Sequence, residues 1–273
     1  TQGTTTMTPM LNMAVRAARS AGNVIVRSLD RLDRVRVETK GRNDFVSDVD
    51  RAAEEEIVGT LRQAYPDHAF MGEEGGSQGD SDHVWIIDPL DGTTNFLYGL
   101  PHFAVSIALQ VRGRIELGVV YDPVRQELFT AARGNGATVD DHRVRVRTRK
   151  DLDGQLLATG FPFRHPQHMD AYMGQFRAVI DRAGDLRRAG SAALDLAYLA
   201  AGRLDGYWEL GLKPWDIAAG ALLVREAGGV VCDFGGDEGY MRSGNVVAGN
   251  PKLVNDLLGT IRPHCTAAML RGS

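Results

Sequence analysis

Between Phe70 and Val146 the chain changes its hydrophobic periodicity, and this change constrains the fold more than any other feature. Short apolar segments, each long enough for one strand, are separated there by turn residues. Segments with a helical repeat of apolar residues lie on both sides of this region. We therefore expect a strand meander packed against helices. The predicted strands span 84–87, 104–111, 116–121 and 127–131.

Residues 10–29 place apolar side chains at helical spacing, and residues 47–65 form a second predicted helix that Pro66 ends. Lys40 to Asp44 is polar and contains glycine, so it is predicted as a mobile loop between the two helices. After the meander, helices alternate with strands, which is typical of an α/β half that follows an α+β half. These later elements are a helix near 168, helices over 191–201 and 217–226, and a strand over 230–232.

We place the division between the two halves near residue 150. Residues 7–150 are expected to form an α+β half that binds metal and phosphate, and residues 151–267 an α/β half that completes the site. Residues 1–6 are expected to be a cloning remnant because Met7 resembles a native start, and residues 268–273 are expected to be a tail.

Composition excludes several classes of protein. With 43% apolar residues, 24% charged residues and a net charge of −4, the chain is neither disordered nor a generally basic nucleic-acid binder. No apolar run reaches the ~18 residues that cross a bilayer, so we expect no membrane association. Two cysteines and the lack of a signal-peptide pattern favour the cytoplasm.

The most informative segment is the strand over 84–87, which runs directly into Asp88-Pro89-Leu90-Asp91-Gly92-Thr93-Thr94. Two aspartates at the end of a strand can converge on one point, where they repel each other unless a cation lies between them. Carboxylate oxygens suit Mg²⁺. The Gly92-Thr93-Thr94 segment begins a predicted helix, whose free N–H groups can bind an anion. The sequence thus predicts a magnesium site beside a phosphate site, as phosphoryl transfer to water requires.

Two further acidic segments are ambiguous on their own. Gly72-Glu73-Glu74 follows a predicted strand and would ordinarily be a solvated acidic turn. Asp216 precedes a predicted helix and would ordinarily be its N-cap.

Taken together, Gly72-Glu73-Glu74, residues 88–95 and residues 215–220 match both signatures of the inositol monophosphatases. The resemblance covers residues 7–265 and is strongest to bacterial members of that family. It implies a layered α/β/α/β/α sandwich, shared with fructose-1,6-bisphosphatase. It also implies a lithium-sensitive, Mg²⁺-dependent enzyme that hydrolyses inositol monophosphate (myo-inositol 1-phosphate) to inositol and phosphate.

The resemblance assigns metal ligands to five residues. Glu73, Asp88 and the Leu90 carbonyl would hold one Mg²⁺. Asp88, Asp91 and Asp216 would hold a second, so that Asp88 bridges the two ions. Glu73 with waters would support a weak third ion, which gives two to three Mg²⁺ per active site.

The resemblance also assigns the catalytic and phosphate-binding groups. The hydroxyl of Thr93, hydrogen-bonded to Asp50, would orient the attacking water and help to deprotonate it. Asp48 is a rival for the role of Asp50, but its spacing does not fit the family pattern. Backbone groups of Gly92, Thr93 and Thr94 would bind the phosphate.

The inositol ring would be bound by residues of the second half. Glu209 would accept hydrogen bonds from the ring hydroxyls. Gly190, Ser191 and Ala192, at the start of a predicted helix, would contact the ring.

A second class of function stays open. Bacterial members of the family are associated with ribosomal RNA antitermination, so the resemblance implies RNA polymerase or antitermination factors as partners, and a homodimer. The alternatives are a non-catalytic accessory factor that binds transcription proteins or RNA, and a phosphatase of another sugar or nucleotide phosphate. The alternating arginines of Arg143–Arg147 are interpreted as a solvated sheet edge or as an RNA or acidic-protein contact. Arg187 and Arg188 are placed at the mouth of the active site or against a dimer partner.

Overall fold

The computed structural model describes residues 3–41 and 44–271. The helices are α1 (Gly3–Leu29), α2 (Asp48–Ala64), α3 (Thr93–Leu97), α4 (Met169–Ile180), α5 (Ala192–Ala200), α6 (Pro214–Glu226), α7 (Tyr240–Ser243), α8 (Pro251–Ile261) and α9 (Ala267–Arg271). Single 3-10 turns span Leu32–Arg34, Pro166–His168 and Arg262–His264. The strands are β1 (Val37–Gly41), β2 (Asp44–Ser47), β3 (Ala69–Gly72), β4 (Gly76–Gln78), β5 (His83–Asp91), β6 (Ala104–Val111), β7 (Arg114–Asp122), β8 (Glu127–Ala132), β9 (Gly136–Val139), β10 (His142–Val144), β11 (Leu156–Thr159), β12 (Asp185–Arg187), β13 (Gly206–Glu209), β14 (Val230–Cys232) and β15 (Val246–Gly249).

Two large sheets organise the chain. Eight strands form the first sheet in the order β10-β9-β8-β7-β6-β5-β3-β4, and all neighbours in it are antiparallel except β3 and β5. Five strands form the second sheet in the order β12-β11-β13-β15-β14. In this second sheet β11 is parallel to both of its neighbours, whereas β15 is antiparallel to both of its own. Strands β1 and β2 make a separate hairpin.

The helices and sheets stack as five layers. Helices α1 and α2 cover one face of the eight-stranded sheet and share an apolar core with it. Helices α5 and α6 lie between the two sheets and are buried against both. Helices α4 and α8 cover the outer face of the five-stranded sheet. The expected α/β/α/β/α sandwich, an α+β half followed by an α/β half, is therefore confirmed.

Most predicted elements of the meander are observed within a few residues of their expected ends. Strand β6 has the predicted bounds, and α2 begins after Ser47, which caps it. The predicted loop from Lys40 to Asp44 is wrong at both ends, since β1 and β2 extend into it. Their β-branched and aromatic side chains, such as Thr39 and Phe45, pair across the hairpin. Residues 42–43 of that loop lie outside the described residues.

Three other boundaries differ from expectation. Helix α1 begins at Gly3 rather than at residue 10, and α6 begins at Pro214 rather than at residue 217. The strand predicted through Arg147 ends at Val144, because the chain leaves the sheet edge and the N–H of Val146 donates to the carbonyl of Ala227.

The predicted division near residue 150 stays a prediction: β10 ends before it and β11 begins after it.

In the described part of the chain, no helix combines the length and the apolar character that crossing a bilayer requires.

Candidate active site

A β-bulge brings the two aspartates of β5 to the same side of the sheet. Side chains alternate along a strand, so residues three apart would normally face opposite ways. Asp88 pairs with Ser106 and Asp91 pairs with Ala104, so β5 carries one residue more than β6 over this interval. The extra residue reverses the facing of the side chains that follow it, so Asp91 lies on the same side of the sheet as Asp88. Both carboxylates therefore face the same cavity.

Helix α6 delivers the third carboxylate. Asp216 is the third residue of this helix, and its Oδ2 accepts a hydrogen bond from the backbone N–H of Lys213 at 2.8 Å. The start of α6 is attached to β6 because Ser106 Oγ donates to the carbonyl of Trp215 at 3.2 Å. Oxygen atoms of Asp88, Asp91 and Asp216 consequently lie within 4.8 Å of one another.

The three carboxylates are electrostatically unfavourable as a group. Burial, followed by the charges of Glu73, Asp91 and Asp216, raises the pKa of Asp88 well above its usual value. Burial also raises the pKa of Asp91 to about 7 and that of Asp216 to about 7. Buried carboxylates this close are stable in the ionised form when a cation lies between them. An all-oxygen donor set of this kind fits Mg²⁺.

Glu73 and the Leu90 carbonyl, the other predicted ligands, lie at the same cavity. Glu73 is half-buried, and its backbone N–H donates to Ile87 O at 3.1 Å. Leu90 lines the cavity as well, and its N–H donates to Asp88 Oδ1 at 3.0 Å. All five predicted metal ligands therefore line one cavity.

A residue that the sequence interpretation missed fixes the loop that carries Glu73. Glu54 on α2 is buried, and its carboxylate accepts hydrogen bonds from the N–H groups of Glu74 (2.9 Å) and Gly75 (2.6 Å). A Cβ atom at Gly72 would lie 2.5 Å from Glu54 Oε1, so a larger residue there would displace this carboxylate. An acidic residue on the buried face of α2 was the signal that could have indicated such a role.

Asp50 and Thr93 form the predicted catalytic pair. Thr93 Oγ1 donates to Asp50 Oδ1 at 2.9 Å and also lies 3.1 Å from the Leu90 carbonyl oxygen. The N–H and the hydroxyl of Ser47 both donate to Asp50 Oδ2. Burial raises the pKa of Asp50 in spite of these hydrogen bonds. The rival Asp48 is exposed and accepts from the N–H of Arg36, away from Thr93.

The segment predicted to bind phosphate lies beside the carboxylates. Gly92 is the N-cap of α3, and Thr93 and Thr94 are its first two residues. All three residues line the cavity. The anion site predicted from the sequence and the acidic cluster are thus adjacent.

The residues predicted to contact a substrate ring line the same cavity of about 480 Å³. Glu209 accepts a hydrogen bond from Tyr207 Oη at 2.6 Å, and burial raises its pKa to about 7. Ser191 is the N-cap of α5, and its Oγ donates to Asp91 Oδ2 at 2.6 Å. Gly190 and Ala192 flank it at the cavity wall. The hydroxyl of Ser191 therefore orients a predicted metal ligand, a contact that the sequence interpretation missed.

Part of the lining of the cavity is cationic and aromatic. Arg188 lies 5.3 Å from the ring of Phe161 and 5.6 Å from the ring of Phe163. Arg164 also lines the cavity. Of the two alternatives for the arginine pair, Arg188 lies at the mouth of the cavity, whereas Arg187 is paired with Asp185. The sequence interpretation did not identify the other residues of this part of the lining.

A carboxylate cluster that fits Mg²⁺, next to a helix start whose N–H groups can bind an anion, is the arrangement of a metal-dependent phosphatase. The chain belongs to the inositol monophosphatase family, since residues 6–266 match the profile of that family.

Similar proteins include the Nus factor SuhB of Pseudomonas aeruginosa, 56% identical over 97% of this chain and 100% of that protein. The Nus factor SuhB of Escherichia coli K12 is 55% identical over 97% of this chain and 100% of that protein. The crystal structure of the extragenic suppressor protein SuhB from Bartonella henselae is 46% identical. It superposes with a TM-score of 0.91 over 93% of this chain and 98% of that chain. The resemblance to bacterial members of the family, of the SuhB type, is confirmed.

Proposed function

We propose that the chain hydrolyses inositol monophosphate, with myo-inositol 1-phosphate as substrate, to inositol and phosphate. The observation that carries the proposal is the convergence of Asp88, Asp91 and Asp216 beside Thr93 and its hydrogen-bonded partner Asp50. Family membership supports phosphatase activity. Glu209, at the same cavity, supports a polyol as the alcohol part of the substrate, because a carboxylate accepts hydrogen bonds from hydroxyl groups.

Two to three Mg²⁺ ions would be held by Glu73, Asp88, Asp91, Asp216 and the Leu90 carbonyl. When bound, Mg²⁺ polarises the phosphoryl oxygens, lowers the pKa of the attacking water and stabilises the leaving alkoxide. Ser191 Oγ and the N–H of Ala193 both hold Asp91 Oδ2, which leaves Oδ1 available as a ligand.

Asp50 and Thr93 move the proton of the attacking water. The Thr93 oxygen accepts a proton from that water while its own hydroxyl proton passes to Asp50 Oδ1, 2.9 Å away. The raised pKa of Asp50 makes this carboxylate a better proton acceptor than an exposed aspartate. Ser47 keeps the other oxygen of Asp50 fixed, so that Oδ1 faces Thr93.

The backbone N–H groups of Gly92, Thr93 and Thr94 orient the phosphate next to the carboxylate cluster. Gly190 and Ala192 supply the wall against which the ring packs, and Glu209 accepts from its hydroxyls. The leaving oxygen would thereby be directed toward a metal ion held by Asp216 and Asp91, which would stabilise its developing negative charge.

The test is phosphate release from a panel of inositol, fructose and nucleotide phosphates, with and without Mg²⁺ and Li⁺. We expect release from myo-inositol 1-phosphate that requires Mg²⁺ and is inhibited by Li⁺. Asp50→Asn should lower kcat by about a hundredfold. The matched control Asp48→Asn, on the exposed side of the same helix turn, should retain wild-type kcat. No Mg²⁺-dependent release from any compound would overturn the proposal.

A second role in ribosomal RNA transcription antitermination is favoured by the relatives named Nus factor SuhB, which are at least 55% identical to this chain. RNA polymerase or antitermination factors would then be partners of a homodimer in the cytoplasm. Asp88→Asn separates the two roles: it should abolish hydrolysis and leave retention of RNA polymerase by the immobilised chain unchanged. Loss of both would contradict two independent roles.

A further inference from the structure

A second cavity of about 480 Å³ adjoins the active-site cavity and shares lining residues with it. Its lining differs in charge: Lys213 and Arg242 contribute two cations, and none of its described lining residues is acidic. The active-site cavity, in contrast, is lined by Glu73, Asp88, Asp91, Glu209 and Asp216. Neither Lys213 nor Arg242 has an ion pair with a described residue.

The rest of the second cavity combines polar and apolar side chains and contains no carboxylate among its described lining residues. Leu212, Met241 and Met269 supply apolar surface, and methionine adapts readily to the shape of a ligand. Burial and the nearby Lys213 ammonium lower the pKa of His165, so this ring is neutral at pH 7. Lys213 and Arg242 therefore supply fixed positive charge to the cavity. Its volume is that of a site for a small metabolite.

The wall between the two cavities is the segment 210–212, which lines both. On the side of the second cavity, Gly211 N–H donates to Asn245 Oδ1 at 3.3 Å and Leu212 N–H donates to the carbonyl of Gly244 at 2.9 Å. A Cβ atom at Gly244 would lie 2.2 Å from Leu212 O, so the wall and residues 244–245 are in direct contact.

The same segment continues into the active site. Lys213 follows the wall, and its backbone N–H donates to Asp216 Oδ2 at 2.8 Å. A shift of the wall therefore alters the position of one carboxylate of the cluster. Ligands that bind two states of this wall with different affinity would change the affinity of the cluster for a metal ion.

We infer that the second cavity binds a small organic anion, with its charged group at Lys213 and Arg242 and its apolar body against Met241 and Met269. Through the wall 210–212 and Lys213, the bound anion changes the Mg²⁺ affinity of the active site. This regulatory part rests on the proposed function, because it requires Asp216 to be a metal ligand. The binding part does not.

The binding test uses the full chain with Mg²⁺ and the methyl groups of its eight methionines labelled with ¹³C. Sodium phenylacetate is the probe, and phenylacetamide is its neutral isostere. The variants Met241→Leu and Met269→Leu assign the NMR signals of these two methionines. Phenylacetate should shift both signals, and phenylacetamide should leave them unchanged. Arg242→Gln should weaken phenylacetate binding about tenfold, the usual worth of one charge-assisted hydrogen bond.

Arg16→Gln is the matched control, since Arg16 is exposed on α1, far along the chain from this cavity. It should bind phenylacetate like the wild type. The binding site is overturned if phenylacetate leaves both methionine signals unchanged, if phenylacetamide binds equally well, or if Arg242→Gln has no effect.

The regulatory part is tested by calorimetric titration of Mg²⁺ into the chain with and without phenylacetate, which requires no turnover. We expect the Mg²⁺ dissociation constant to change at least about twofold in the wild type and not in Arg242→Gln. An unchanged constant with the cavity filled overturns the coupling. Absence of phosphatase activity would overturn the proposed function without changing the methionine result.

Discussion

Acidic side chains at two places in this molecule have opposite electrostatic surroundings. At the end of β5, Asp88, Asp91 and Asp216 lie within 4.8 Å of one another, and their pKa values are raised. Beside the amino end of β11, Asp205 and Asp256 each receive an arginine. Asp205 accepts from Arg149 and from the N–H of Leu156, and Asp256 from Arg182 and from the N–H of Leu152.

The difference separates carboxylates whose charge is compensated within the chain from the carboxylates proposed to hold metal. The hydrogen bonds from Arg182 lower the pKa of Asp256, so its ionised form stabilises the folded chain. The β5 cluster has raised pKa values, so its ionised form opposes folding until a cation binds. One set of carboxylates completes its interactions within the chain, and the other requires an external ion.

The largest expected effect is on activity. Asp88→Asn removes the carboxylate predicted to bridge two ions, and it should lower kcat/KM by at least about a hundredfold, because even residues that only support a metal ligand cost 10–100-fold. Phosphate release at several Mg²⁺ concentrations measures this. Asp82→Asn, an exposed carboxylate paired with Arg112, is the control and should be fully active. Equal activity of Asp88→Asn at low Mg²⁺ would contradict the metal assignment.

In the other region a substitution should affect stability and spare the chemistry. Asp205→Asn keeps an acceptor for the N–H of Leu156 but removes the charge facing Arg149, which is 35% exposed. Because water partly compensates Arg149, the free energy of unfolding should fall by about 1–2 kcal/mol. Urea unfolding measures the loss, and Mg²⁺-dependent kcat should stay unchanged. A loss of activity in the folded variant would remove the distinction between the two regions.

The pH dependence of stability should differ with and without metal. For Asp91 and Asp216 the pKa in the folded state is about 7, above the ordinary 3.8. The folded state therefore binds more protons than the unfolded state between these two pH values. Their contribution to the free energy of unfolding is consequently lost as the pH rises from 3.8 to 7. Asp256, with a lowered pKa, contributes the opposite slope, below its ordinary value. Without Mg²⁺ the melting temperature should therefore fall from pH 5 to 7 more steeply than with it. Identical slopes in EDTA and in Mg²⁺ would contradict the assignment.

The smallest predicted effect concerns the loop that carries Glu73. Each carboxylate oxygen of Glu54 accepts one backbone N–H of this loop. In Glu54→Gln an amide NH₂ replaces one of the two oxygens, so one N–H loses its acceptor and the position of Glu73 is less restricted. The Mg²⁺ concentration for half-maximal activity should rise about fivefold, and kcat at saturating Mg²⁺ should change little. Glu55→Gln, exposed on the same helix, is the matched control. A fall in kcat with an unchanged Mg²⁺ requirement would assign Glu54 a purely structural role.

The sequence predicted those structural elements whose formation depends mainly on residues close together in the chain. The apolar run before Asp88 predicted a strand that ends at a carboxylate pair, and Ser47 predicted the start of α2. The hairpin of β1 and β2 was missed because the polar residues at its tip favour a loop when they are read alone. Its pairing becomes visible only in three dimensions.

The same distinction applies to the residues of the candidate active site. Spacing alone could not bring Asp216 to Asp91, because the two are far apart in the chain. Only the family resemblance predicted their proximity. Glu54 was missed as part of the site, because its role depends on backbone N–H groups supplied by another element. Arg188 was placed at the site only as one of two alternatives, because its position against aromatic rings is set by other elements. Local signals thus identified the centre of the cavity, and long-range packing determined its supports.

The carboxylates of Asp88, Asp91 and Asp216 oppose folding unless a cation binds, and the stability of Asp88→Asn with and without Mg²⁺ measures this effect. Asn can still accept from the N–H of Leu90 while one buried charge is removed. At pH 8 the variant should be more stable than the wild type in EDTA and less stable than the wild type in saturating Mg²⁺. A variant that is less stable than the wild type in both conditions would contradict the claim.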